Sequence, residues 1–116
     1  MKKIFLFLLF GLSAYSYNYF GSIAINKKTG HYGYSYDYET QEMAEKAALE
    51  ECGKNCEVAV WFQNSCGTVA YSAKAKDYAW AWGGILREIE DIALKDCAYG
   101  DCYIITSVCT TQEFYY

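Results

Sequence analysis

Proline is absent from this 116-residue sequence, and histidine and arginine occur once each, as His31 and Arg87. Basic residues are few: once Lys2 and Lys3 of the leader are set aside, eight Lys and Arg face fourteen Asp and Glu. No basic patch is available to displace counterions, so nucleic acid and anionic membranes are not expected partners. After the first sixteen residues no apolar run reaches the roughly 20 residues that a membrane helix needs. With one histidine the catalytic inventory is thin. There is no Gly-x-Ser-x-Gly elbow, no phosphate loop and no dinucleotide fingerprint. His31 opens a strand and reads as a solvated turn residue. The carboxylates Glu42, Glu45, Glu50, Glu51, Glu88, Glu90 and Asp91 fall on helical segments and read as solvated faces, so the chain is expected not to be an enzyme.

What the chain has in quantity is aromatic side chains and cysteine: thirteen Tyr, three Trp, six Phe and six Cys. At 19% aromatic and 21% charged residues, it does not have the composition of a disordered chain. Met1-Lys2-Lys3, an apolar stretch from Ile4 to Leu12, and small residues at Ala14 and Ser16 form the three-part pattern of a secretory signal. Cleavage is expected after Ser16, leaving a single mature domain, residues 17–116, with no transmembrane segment, in the periplasm or outside the cell. The terminal Phe114-Tyr115-Tyr116 does not mark an outer-membrane barrel, because so short a chain with two helices cannot supply eight spanning strands.

Cys52, Cys56, Cys66, Cys97, Cys102 and Cys109 are even in number and all follow the leader. In an oxidising compartment they read as disulfides rather than metal ligands, and neither a metal nor a cofactor is expected. Six cysteines allow fifteen pairings, among which the sequence does not choose.

The chain resembles itself. A shift of 46 residues places Gly21-Ser22-Ile23-Ala24 on Gly67-Thr68-Val69-Ala70, and Tyr32, Tyr34 and Tyr36 on Tyr78, Trp80 and Trp82. A shift of 45 then aligns Ala48-Leu49 with Ala93-Leu94 and Cys52 with Cys97. The half-units, about 20–63 and 66–109, share one grammar. A short strand is followed by a turn, an alternating strand, a helix (about Gln41–Glu51 or Ile85–Asp96) and a third strand. Thr40 is the expected N-cap of the first helix and Gly53 its stop. Met43, Ala44, Ala47 and Ala48 form one apolar stripe, and Ile85, Ile89, Ile92 and Ala93 the other. Val58, Val60 and Phe62 are expected on one face of the third strand. The fold class is therefore α+β, a small disulfide-stapled domain of two related strand-strand-helix-strand halves with antiparallel pairing.

The alternating strands carry the candidate binding residues. Tyr32, Tyr34, Tyr36 and Tyr38 share one strand face, as do Tyr78, Trp80 and Trp82; the opposite faces are Gly33-Ser35-Asp37 and Ala79-Ala81-Gly83. Such rings are expected mainly to build the core, with the small faces admitting a helix or second sheet. The sharper alternative is an exposed platform for sugar rings or apolar peptide side chains.

Together, Gly21-Ser22-Ile23-Ala24, Gly33-Tyr34-Ser35-Tyr36, Ala47-Ala48-Leu49-Glu50-Glu51-Cys52, Cys56-Glu57-Val58-Ala59-Val60-Trp61-Phe62, Asn64-Ser65-Cys66-Gly67-Thr68-Val69-Ala70 and Trp80-Ala81-Trp82 resemble the small secreted bacterial family catalogued as domain of unknown function 4189. The resemblance spans about Tyr19 to Cys109. It implies an exported, cysteine-containing domain with two related halves, and it brings no catalytic residues. The expected role is a binding or inhibitory module that recognises protein or glycan outside the cytoplasm. The alternatives are a structural envelope component without a discrete ligand, or a carboxylate-based hydrolase.

Overall fold

The structure, a computed structural model, describes residues 18–111. The expected signal segment and the aromatic C-terminus lie outside the described residues. The first half contains β1 (Phe20–Ile25), β2 (Tyr32–Tyr38), α1 (Gln41–Cys52) and β3 (Glu57–Gln63). The second contains β4 (Cys66–Ser72), β5 (Asp77–Gly83), α2 (Leu86–Asp96) and β6 (Tyr103–Cys109). They form two antiparallel three-stranded sheets, ordered β2-β1-β3 and β5-β4-β6. The α+β class and the two similar halves agree with the sequence reading.

Local chemistry explains the element ends. The Thr40 side chain accepts a hydrogen bond from the Met43 N–H at 3.1 Å, capping α1. Gly53 leaves that helix at φ 96°, donating its N–H to the Leu49 carbonyl at 2.9 Å. Gly30 turns the β1–β2 hairpin at φ 79°. The second helix begins at Ile85 without a side-chain cap.

One face of each sheet meets the other sheet. Ile23, Ile25, Ala59, Val60 and Phe62 from the first half join Val69, Tyr71 and Val108 from the second in one buried cluster. Phe62 is its hub. Its ring lies against Gly21 on one side and Gly67 on the other, and a Cβ at either glycine would fall inside the ring's contact surface. Those two glycines are equivalent in the two halves, so the ring sits where the halves meet.

The outer face of each sheet takes a helix. In the first half Ala44, Ala48 and Cys52 of α1 are buried, with Ala48 and Cys52 packing against Ala24. In the second, Ile89 and Ala93 of α2 pack against Ala70 and Ala81. The expected helix stripes are therefore too wide. Met43, Ile85 and Ile92 are exposed, because a helix seated on a floor of small side chains touches it along a narrow i, i+4 line. The third strand is corrected as well. A bulge at Ala59 pairs Val60 with Ile23 but Val58 with Ala24, which turns Val58 to the opposite face. The same irregularity recurs in β6 at Ile105.

The disulfides are Cys52–Cys56, Cys97–Cys102 and Cys66–Cys109. The first two staple each helix end to the strand that follows. The third ties β4 to β6 at directly paired positions with Cα atoms 3.9 Å apart; the equivalent pair in the first half is Phe20 and Gln63.

Candidate functional site

The alternating strands turn their small residues toward the helices and most of their rings toward the face that meets the other sheet. Gly33 sits directly against α1: a Cβ there would collide with the Cys52 backbone nitrogen and the Ala48 carbonyl. Two residues on, the Ser35 hydroxyl donates to the Ala44 carbonyl at 2.6 Å. In the second half Ala81 is buried beneath Ile89 and Ala93. The small faces thus admit the helices, as the sequence led one to expect.

The rings do not build the core. Tyr34 is 41% exposed, Tyr36 47%, Trp80 48% and Trp82 58%, and Tyr38 is also exposed. The expectation of buried ladders is corrected: the inter-sheet cluster is built from β1, β3, β4 and β6, and of the ladder rings only Tyr78 packs against it. Tyr32 and Tyr78, at the hairpin ends, are half-buried. Tyr78 packs against the central cluster and donates its hydroxyl to Glu57 Oε2 at 2.8 Å. Burial, and then this hydrogen bond, push its phenol well above the usual tyrosine range.

The Tyr row is also shorter than the alternation implied. Asp37, at φ 63°, is an extra residue in β2, so that Tyr38 pairs with Phe20 and Ser35 with Ser22. Tyr38 therefore shares the side of Ser35 rather than that of Tyr34, which pairs with Ile23. β5 pairs with β4 without a break, so this bulge is why the halves align at 46 residues before it and 45 after it.

Two of the resulting surface features stand out. Where the β3 edge of the first sheet meets β5 of the second, an apolar cleft of about 360 Å³ is lined by Val58 to Gln63 together with Trp80 and Trp82. None of its lining side chains is charged. Trp61, 42% exposed and in ring contact with Phe20 at 6.2 Å, extends its aromatic wall. At the equivalent junction between β6 and β2, the Asp37 carboxylate accepts from the Thr111 N–H at 3.1 Å and its hydroxyl at 2.7 Å. The second feature is a shallow groove beside α1, lined by Tyr34, Ser35, Tyr36, Asp37, Tyr38, Ala47 and Glu51. Here the Tyr34 and Tyr36 rings lie 13° from parallel with centroids 6.5 Å apart. Glu51 Oε1 accepts the outward-facing Tyr34 N–H at 2.7 Å.

The seven ring residues singled out in the sequence therefore divide. Trp80 and Trp82 line the cleft and, with Tyr78, Ile92 and Asp96, a groove beside α2; Tyr34, Tyr36 and Tyr38 line the groove beside α1; Tyr32 is half-buried. Sequence reasoning missed Trp61, Asp37 and Glu51. Trp61 was legible, because strand alternation sets it opposite Val60 and Phe62. Asp37 carried the signal of the one-residue misfit between the halves. Glu51 carried none, since only the tertiary packing of α1 brings it to β2.

Other polar groups serve the scaffold. Asp77 accepts from the Tyr99 hydroxyl and the Tyr78 N–H, and Asp101 from the Ser72 hydroxyl and the Lys74 N–H. These hydrogen bonds hold both carboxyls below the usual range. His31 is exposed at the hairpin, as expected. Among the described residues, no helix is long and apolar enough to cross a membrane.

No curated protein matches the chain. Among solved structures, it is similar to the NMR structure of Rv1813c from Mycobacterium tuberculosis, with a TM-score of 0.59 and 29% identity over 78% of this chain and 74% of that one. A family model spans β1 through β6, residues 20–109, and by this match the chain belongs to the family described as Domain of unknown function (DUF4189).

Proposed function

We propose that the protein is a non-catalytic binding or inhibitory module that works outside the cytoplasm and recognises protein or glycan through its aromatic edge strands. The observation that carries this reading is the exposure of Trp61, Trp80 and Trp82 around a cleft with no charged lining. Leaving three indoles half in water forgoes much of the burial free energy that a small domain needs, about 25 cal/mol per Å². Concave apolar surfaces with amphipathic rings are where ligands and partner side chains gain most from desolvation. Three disulfides fit a domain that works in an oxidising compartment, and the leader pattern supports export.

The test is a fluorescence titration of the disulfide-intact protein with soluble glycan fragments and with a panel of peptides, followed by Trp emission. Binding that changes the emission and is lost in Trp80→Ala/Trp82→Ala, with the variant still folded, supports the reading. Ligands that bind the variant and the parent equally would remove it.

A further inference from the structure

The two aromatic strands differ chemically, and the difference points to a ligand for the Tyr strand. The Trp cleft is lined without charge, and the groove beside α2 that Trp80 and Trp82 share with Tyr78 has one carboxylate, Asp96, where the groove beside α1 has two. The groove beside α1 sets two nearly parallel phenol rings next to the carboxylates of Glu51 and Asp37, with no basic side chain in its lining. Its flank is acidic too: α1 carries Glu42, Glu45, Glu50 and Glu51 against the single cation Lys46, and Glu39 precedes it. A cation midway between rings whose centroids are 6.5 Å apart lies within the roughly 6 Å range of attraction of both. Arginine suits such a place better than lysine, because its flat, weakly hydrated guanidinium stacks on rings and pairs with a carboxylate in one pose.

Strand addition is hindered here. The Tyr34 N–H, which an incoming strand would use, is already held by Glu51 at 2.7 Å. Recognition at this edge therefore runs through side chains.

We propose that the Tyr34–Tyr36 strip, with Glu51 and Asp37, binds arginine side chains of a basic segment on a partner protein. The proposal rests on the binding-module reading and assigns it a partner chemistry and a second site. The experiment is an NMR titration of the disulfide-intact, 15N-labelled protein with an arginine-rich nonapeptide and with its citrulline counterpart, which keeps the shape and removes the charge. The expected result is shifts centred on Tyr34, Tyr36 and Glu51 for the arginine peptide alone, with an affinity that falls as salt is raised. Glu51→Gln keeps an acceptor for the Tyr34 N–H, and it should weaken binding roughly fivefold without loss of fold. Tyr34→Ala/Tyr36→Ala should abolish the shifts. Equal binding of the citrulline peptide, or no shift at the Tyr strip, overturns the proposal. Shifts confined to Trp80 and Trp82 also overturn it, while leaving the Trp-cleft reading standing.

Discussion

At Gly33 a single added methyl group would press on the backbone of α1, and backbone cannot move aside as a flexible side chain can. Gly33→Ala is therefore expected to cost about 1–3 kcal/mol, the scale of overpacking, read as a fall in thermal midpoint. The rings beside it should behave oppositely. Tyr34→Ala and Tyr36→Ala remove half-exposed side chains and should each change stability by much less than Phe62→Ala, which empties the centre of the core at about 3–5 kcal/mol. Denaturant titration of the four variants checks the order. Acid sensitivity belongs to this scale as well. Asp77 and Asp101 have folded-state pKa values below their ordinary one, so their contribution is present above that ordinary value and is lost as pH falls through the folded one. Replacing both by Asn should flatten the stability–pH curve in the acid range, below about pH 4, and leave its slope near neutrality unchanged.

Among elements, the disulfides are unequal. Cys66–Cys109 closes 43 residues, whereas Cys52–Cys56 and Cys97–Cys102 close four and five. By loop-closure entropy the long bridge contributes about 4 kcal/mol and each short one about 2 kcal/mol. Paired Cys→Ala substitutions, compared by chemical denaturation, should show that ranking. The elements themselves were largely legible in the sequence, because their signals are local. The Thr40 cap, the Gly53 stop and the strand alternation each act within a few residues. The bulges at Ala59 and Ile105 were not, since a bulge is fixed by the partner strand, and the one at Asp37 showed only as the one-residue misfit between the halves. Disulfide pairing and the exposure of the rings escaped for the same reason. Alternation shows that Tyr34 and Ser35 face opposite ways, but only the packing of the two sheets shows that the Tyr34 ring stays outside the inter-sheet cluster.

On the scale of the whole molecule, the two halves share one core. Phe62 of the first half sits between Gly21 and Gly67, and Tyr71 of the second reaches back to donate to the Lys27 carbonyl at 2.6 Å. Residues 18–64 and 65–111 expressed separately should each fail to unfold cooperatively by calorimetry, because each half alone exposes its share of the central cluster. The halves have also diverged in what they present: one offers tyrosines beside two carboxylates, Glu51 and Asp37, the other tryptophans around an uncharged cleft and beside the single carboxylate Asp96. The most direct measurement of this account is the indole N–H signals of Trp61, Trp80 and Trp82 during titration with any ligand the protein binds. A bound ligand is expected to shift the Trp80 and Trp82 indoles, or the backbone of the Tyr strip, while the core amides around Phe62 stay in place. A ligand that binds while both aromatic strands remain silent would contradict it.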